Sequence, residues 1–254
     1  MQVSSFKGVV PSTFTMGNAV CGFLAILSVF EGEVTTACWL IVLAGFLDIL
    51  DGKIARLSGT VSDFGVELDS LADFLSFGVA PAVIMYVVKL SSMGKWGWAI
   101  SIVYIMAASY RLARFNLLAQ TDEKKEFLGL PTPGAAMLLV GYVIFSYHLW
   151  GQLEYSQYLV SMVILVAALM VSQIEYDAMP DNFNNRKNRI KLLFMIGAAL
   201  AALIQPRLLL FPIFAVYIII GLVREMYRFF YLGVGLVRKH QSRDNRKLEN
   251  GDEQ

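Results

Sequence analysis

The residues with the clearest chemical content are four aspartates, Asp48, Asp51, Asp69 and Asp73. They fall in one stretch, LDILDGKIARLSGTVSDFGVELDSLADF, from Leu47 to Phe74. The first pair is spaced i, i+3 and the second i, i+4, so each pair lies on one helical face. A short polar loop joins the two helices, which makes them antiparallel neighbours and lets the four carboxylates converge. Ionised aspartates gathered in a partly dehydrated pocket repel one another. Either some are protonated or cations are bound, and the nearest positive side chains, Lys53 and Arg56, are a turn or more away. An all-oxygen ligand set suits Mg²⁺, Mn²⁺ or Ca²⁺. If Asp48 or Asp69 is shared, two ions can sit about 4 Å apart, the arrangement of two-metal phosphoryl-transfer sites. No histidine is near the quartet, which disfavours zinc.

The surrounding residues fit a phosphate-bearing ligand. Gly52 and Ala55 leave a bare helical face where a flat ring or a phosphate can approach the backbone. Gly65 allows the third helix to come close. Arg56 can fork onto phosphate oxygens. Ser58, Thr60 and Ser62 add hydroxyls in the same loop, while Asp63 and Glu67 fall off the quartet's spacing and read as rim charges.

What positions these groups is a membrane bundle. Of 254 residues, 57% are hydrophobic and 16% charged, with a mean hydropathy of +0.59. A soluble domain is nearer a quarter charged, and a disordered chain has the opposite composition. The chain therefore reads as an all-α, polytopic integral membrane helix bundle. At about 20 apolar residues per span, eight helices are expected, roughly at 13–31, 34–52, 66–90, 96–118, 132–150, 155–173, 190–205 and 208–232. Six spans are the alternative. Loops are short and no repeat is visible, so residues 1–237 form one domain. Residues 238–254 form a charged tail whose composition suggests disorder. The first apolar run contains Thr15, Gly17 and Asn18 and reads as a retained helix, not a cleaved leader. Cys21 and Cys38 sit in apolar runs as small buried hydrophobes.

Net charge is +1, from 21 Lys plus Arg against 20 Asp plus Glu, but the positive residues are unevenly placed. With eight spans only Lys89, Lys95 and Arg207 fall on one side, and the other 18 fall with the termini. By the positive-inside rule both termini and the 53–66 loop are cytoplasmic. Trp96, Trp98 and Trp150 read as an interfacial belt, with His148 beside the last. The basic run from Arg224 to Lys247 serves topology or attracts anionic lipid. No nucleic-acid-binding module is present.

The pattern D-x-x-D-G-x-x-A-R-x8-G-x-x-x-D-x-x-x-D, here Asp48, Asp51, Gly52, Ala55, Arg56, Gly65, Asp69 and Asp73, resembles the signature of the CDP-alcohol phosphotransferases at all eight fixed positions. Three further stretches, PSTFTMGNAVCGFLAI (11–26), ELDSLADFLSFGVAPA (67–82) and SYRLARFN with GLPTPGAA (109–116 and 129–136), are similar to those of the membrane-type phosphatidylserine synthases within that family. Ser12 departs from the pattern, since relatives often carry Asn after the proline. The resemblance covers most of the first 150 residues. It implies a transferase of phospholipid biosynthesis that moves the phosphatidyl group of CDP-diacylglycerol to L-serine, giving phosphatidylserine and CMP. It further implies that Asp48, Asp51, Asp69 and Asp73 hold two divalent ions and that Asp73 is the general base. Ser12, Thr13, Thr15, Asn18, Gly52, Arg56 and Ser62 would face the CDP-lipid. A homodimer in a prokaryotic cell membrane is the corresponding expectation for assembly and location.

For the acceptor, a zwitterion needs a cation for its carboxylate. Arg111 and Arg114, spaced i, i+3 near the end of the fourth helix, and Asn116 are the candidates. Positive-inside placement accounts for these arginines equally well. Glycerol 3-phosphate, inositol or inositol phosphate are alternative acceptors. A divalent-cation transporter is a reading from another class. It would leave Gly52, Ala55 and Arg56 idle and place its filter at one membrane face instead of the midplane.

Overall fold

The computed structural model describes residues 9–58, 62–120, 127–176, 197, 201–202 and 204–249. The side chains of Ser12, Ala55, Arg56 and Ser58, the whole of Thr60, and most of the span expected at 190–205 lie outside the described residues. The helices are α1 (Val9–Phe30), α2 (Val34–Ser58), α3 (Asp63–Asp73), α4 (Ala80–Val88), α5 (Lys95–Gln120), α6 (Thr132–Trp150), α7 (Ser156–Val171) and α8 (Pro206–Glu249). The only described non-helical pairing is between two-residue strands, β1 (Phe127–Leu128) and β2 (Glu175–Tyr176), which run antiparallel with Phe127 opposite Tyr176.

Five helical stretches among the described residues are long and apolar enough to cross a membrane: Thr13–Phe30, Val34–Ile54, Phe64–Val88 (running from α3 through α4), Thr132–Trp150 and Pro206–Arg228. The shorter α7 is also apolar. The fold is thus a membrane helix bundle, but not one in which eight full spans are counted. The expected span at 96–118 is helical as α5, yet it is not among the five. Its 26 residues carry Arg111 and Arg114, which lower its hydropathy without shortening it. α8 runs on through the charged segment from Arg238 to Glu249, where composition suggested disorder. Lys, Arg, Leu and Glu there are good helix formers.

α1 and α2 make a tight hairpin. Gly32 adopts φ +86°, its N–H reaches Val29 O at 3.2 Å, and the Glu33 N–H reaches Ser28 O at 2.9 Å. This is a Schellman closure, with glycine where a side chain would strain the backbone. α6 lies at the centre, buried along nearly its whole length, and contributes Leu139, Val140 and Val143 to the core. The core continues through Ile41, Phe77, Ile84, Met85 and Tyr104, all fully buried. Large apolar side chains such as Phe23, Phe46, Ile102, Met106 and Val223 are exposed instead. So much exposed apolar surface belongs against lipid, not water.

The third span is not a uniform helix. Between α3 and α4, Phe74–Val79 is a π-helical turn, in which the Ala80 N–H bonds to Leu75 O. Pro81 explains it: proline has no N–H to offer the carbonyl four residues back, and its ring would collide with that carbonyl. The carbonyl in question is that of Phe77, and the buried hydroxyl of Tyr104 on α5 donates to it at 3.0 Å. The wider turn absorbs the proline, and a side chain from a neighbouring helix satisfies the freed oxygen.

Candidate metal centre and active site

Four helices supply the site. α1 brings Thr15 and Asn18, α2 brings Asp48 and Asp51, α3 brings Asp69 and Asp73, and α5 brings Arg111 and Asn116. The start of α3 is set by Ser62, whose hydroxyl oxygen accepts the Gly65 N–H at 3.1 Å. This is a serine N-cap. The CDP-facing candidate Ser62 therefore has a structural task as well.

The aspartates converge, but not as one symmetrical quartet. Carboxylate oxygens of Asp48, Asp51 and Asp69 lie within 4.8 Å of one another. Asp73 is outside that group and buried, and its Oδ1 accepts from Asn18 Nδ2 at 3.0 Å. Asp51 Oδ2 accepts from the Thr15 hydroxyl at 2.8 Å. Asp69 Oδ1 is buried with no hydrogen-bond partner. A buried acceptor left unpaired costs about 1–3 kcal/mol, and more when charged. Three converging carboxylates, one with an orphaned oxygen, fit a hard divalent cation well: it satisfies the orphan and offsets the repulsion.

Beside this cluster α2 is open. A Cβ added to Gly52 would meet nothing within 4 Å, so the bare backbone expected there is present. Thr13 is exposed on the same helix as Thr15. The side chains of Ser12 and Arg56 are outside the described residues.

The two arginines of α5 separate in role. Arg111 is buried, stacks over the Phe115 ring at 5.0 Å, and lies within electrostatic reach of Asp73 and Asp48. Arg114 is taken up by backbone. Its Nη1 donates to Val171 O at 3.1 Å, and its Nη2 to the carbonyls of Leu128, Met170 and Ser172 at 2.7, 3.2 and 3.0 Å. The last carbonyls of a helix carry partial negative charge, and a guanidinium there is favourable. Gly129 packs against the same clamp with φ +79°, and a Cβ on it would run into Met170 O. Arg114 thus fastens the GLP segment and the end of α7 to α5.

Asn116 is likewise engaged. Its Nδ2 donates to Ser70 Oγ at 2.9 Å, and the Ser70 hydroxyl faces Asn116 Oδ1 at 3.2 Å. This joins α5 to α3 between Asp69 and Asp73. Ser70, Ser76 and Tyr104 are the contributors that the sequence reading did not single out. The available signal was hydroxyl groups, and a proline, inside an otherwise apolar span.

Comparison with known proteins agrees with this site. The family model for CDP-alcohol phosphatidyltransferase matches residues 8–174, which hold every site residue above. The chain is similar to the CDP-diacylglycerol–serine O-phosphatidyltransferase of Helicobacter pylori (strain ATCC 700392 / 26695), at 36% identity over 221 residues, covering 85% of this chain and 91% of that protein. It is 39% identical over 215 residues to the protein of that name from Methanocaldococcus jannaschii, covering 83% and 92%. It is 36% identical over 178 residues to the archaetidylserine synthase of Methanothermobacter thermautotrophicus, covering 69% and 72%. The converging carboxylates, the open backbone at Gly52 and these matches together place the chain in the CDP-alcohol phosphatidyltransferase family.

Proposed function

We propose that the protein is a phosphatidylserine synthase, transferring the phosphatidyl group of CDP-diacylglycerol to L-serine with release of CMP. The observation that carries this reading is the division among the aspartates. Three bring carboxylate oxygens close enough together to hold a metal ion, and the fourth stands outside that group with its Oδ1 on Asn18. The serine hydroxyl is a weak nucleophile and needs a base within about 3 Å. Asp73 takes its proton as the oxygen attacks the β-phosphorus, and CMP departs with the electrons of the broken P–O bond. Asp48, Asp51 and Asp69, with Asp73 bordering, would hold two divalent ions, Mg²⁺ or Mn²⁺, which would supply charge neutralisation for the diphosphate. Gly52, Arg56 and Ser62, with Ser12 and Thr13, border the CDP moiety. Thr15 and Asn18 belong to the same wall, with their side chains turned to Asp51 and Asp73. Arg111 faces the serine carboxylate.

The same reading places eight spans in a prokaryotic cell membrane, residues 1–237 as one unit, and the termini and site on the cytoplasmic side. A homodimer completes it. The deciding experiment is CMP release from CDP-diacylglycerol by purified protein, offered L-serine, glycerol 3-phosphate or inositol in turn. Release with serine alone is expected. Release with another acceptor and not with serine would transfer the protein to that acceptor's branch of the family.

A further inference from the structure

The family resemblance groups Asn18 with the CDP-lipid contacts, but its surroundings suit a different task. It is fully buried in α1, one turn beyond Thr15. Its side chain donates to Asp73 Oδ1 at 3.0 Å, and its backbone carbonyl accepts from the Ser76 hydroxyl at 2.8 Å. Ser76 lies three residues past Asp73, inside the π turn. One residue of α1 therefore grips the third span at two points, the carboxylate of Asp73 and the segment that follows it. The grip is close: Gly22, one turn further along α1, lies so near Ser76 that a Cβ there would overlap the Ser76 hydroxyl.

We propose that Asn18 is a positioning residue for the transfer step, fixing the orientation of the Asp73 carboxylate so that its second oxygen meets the acceptor hydroxyl. The inference rests on the phosphatidyltransferase reading above. A carboxylate's terminal torsion is broad and nearly two-fold, so an unrestrained Asp73 would sample many orientations. An N–H fixed on one oxygen selects one of them. Reaction rates are sensitive to such placement, and misplacement of a reacting group by about 1 Å can cost about 100-fold. Packing alone does not account for the residue. A buried amide costs stability unless it is fully paired, and Asn18 Oδ1 has no partner. An apolar side chain of similar volume would fill the position without that cost. A nucleotide contact, in turn, would need the amide to be accessible to the ligand, whereas Asn18 is fully buried with its Nδ2 on Asp73.

The test compares Asn18→Leu with wild type in detergent or proteoliposomes with Mn²⁺ present. Both substrates are varied for kinetics, and binding of labelled CDP-diacylglycerol is measured without acceptor. The expected result is a kcat lowered about 100-fold, with CDP-diacylglycerol affinity and both KM values within about threefold of wild type. Affinity lost in proportion to turnover would overturn the proposal and make Asn18 a nucleotide contact. Unchanged kcat would overturn it outright. Ser76→Ala loosens the other end of the same grip and guards against a misfolded first variant. It should lower kcat several-fold at unchanged KM values, and full activity would count against the grip. If wild type releases CMP only with an acceptor other than serine, the serine assignment fails and the Asn18 comparison is read on that acceptor. If no acceptor gives CMP, both fall.

Discussion

At the scale of single residues, the site assigns unlike tasks to like side chains. Asp73→Asn keeps the shape and the contact with Asn18 but removes the proton acceptor. It should bind CDP-diacylglycerol as wild type does and release CMP at least about 1,000-fold more slowly, at the upper part of the range for general-base loss. Filter binding and CMP release measure the two halves. The arginines diverge in the same way. Arg111→Ala should raise the KM for serine at least about tenfold with modest loss of stability, because it removes the buried cation within electrostatic reach of Asp73 and Asp48. Arg114→Ala should lower the melting temperature, since four carbonyl oxygens lose their shared donor. A serine KM that rose equally in both variants would contradict the division. The aspartates were legible in the sequence because helical spacing brings each pair to one face and a short loop sets the two helices side by side. The split between Arg111 and Arg114 was not. Three residues apart, they share a helical face, and what separates them is where the end of α7 falls, a long-range fact.

At the scale of elements, the third span shows how a helix can carry a site at one end and a lipid-crossing segment at the other. Ser62 starts it, Pro81 perturbs it, and Tyr104 stabilises the perturbation. Tyr104→Phe would leave the buried Phe77 carbonyl unpaired, a cost of about 1–3 kcal/mol. A lower unfolding temperature in detergent is the expected outcome, and an unchanged one would mean that the carbonyl finds another donor. The boundaries of α6 were read closely from sequence, because Pro131 and Pro133 flank its start and Gly151, in a left-handed conformation, ends it. The π turn was not read. A proline in an apolar run signals that a carbonyl is freed, but not whether the helix kinks, breaks or widens. That choice depends on Tyr104, 23 positions along the chain from Pro81.

At the scale of the molecule, the carboxylate cluster spans two helices, so an ion bound there is also a crosslink between α2 and α3. A ligand that binds only the folded state stabilises it by about 2.7 kcal/mol at 100 times its Kd. Thermal unfolding should therefore shift upward with added Mn²⁺, and the shift should vanish in Asp69→Asn. EDTA should abolish CMP release, and activity that persisted in chelator would remove the metal from the reaction. The membrane character was plain from composition, since 16% charged residues cannot coat a soluble surface of this size. The number of crossings was less plain. Hydropathy counts side chains without regard to where they point, and α5 loses apolarity to arginines that the bundle itself occupies or buries.

The π turn has one more implication, which concerns angular phase. An α-helix advances about 100° per residue, so a span with one residue more than its regular repeat needs is rotated by about that angle beyond the insertion. The aspartates before Phe74 and the apolar face after Val79 are thereby set on separate dials. Deleting one residue within Phe74–Val79 would leave composition and length almost untouched. It would turn Asp69 and Asp73 away from α1 and α2 while α4 kept its place in the core. The span would still insert, and the chemistry would face the wrong way.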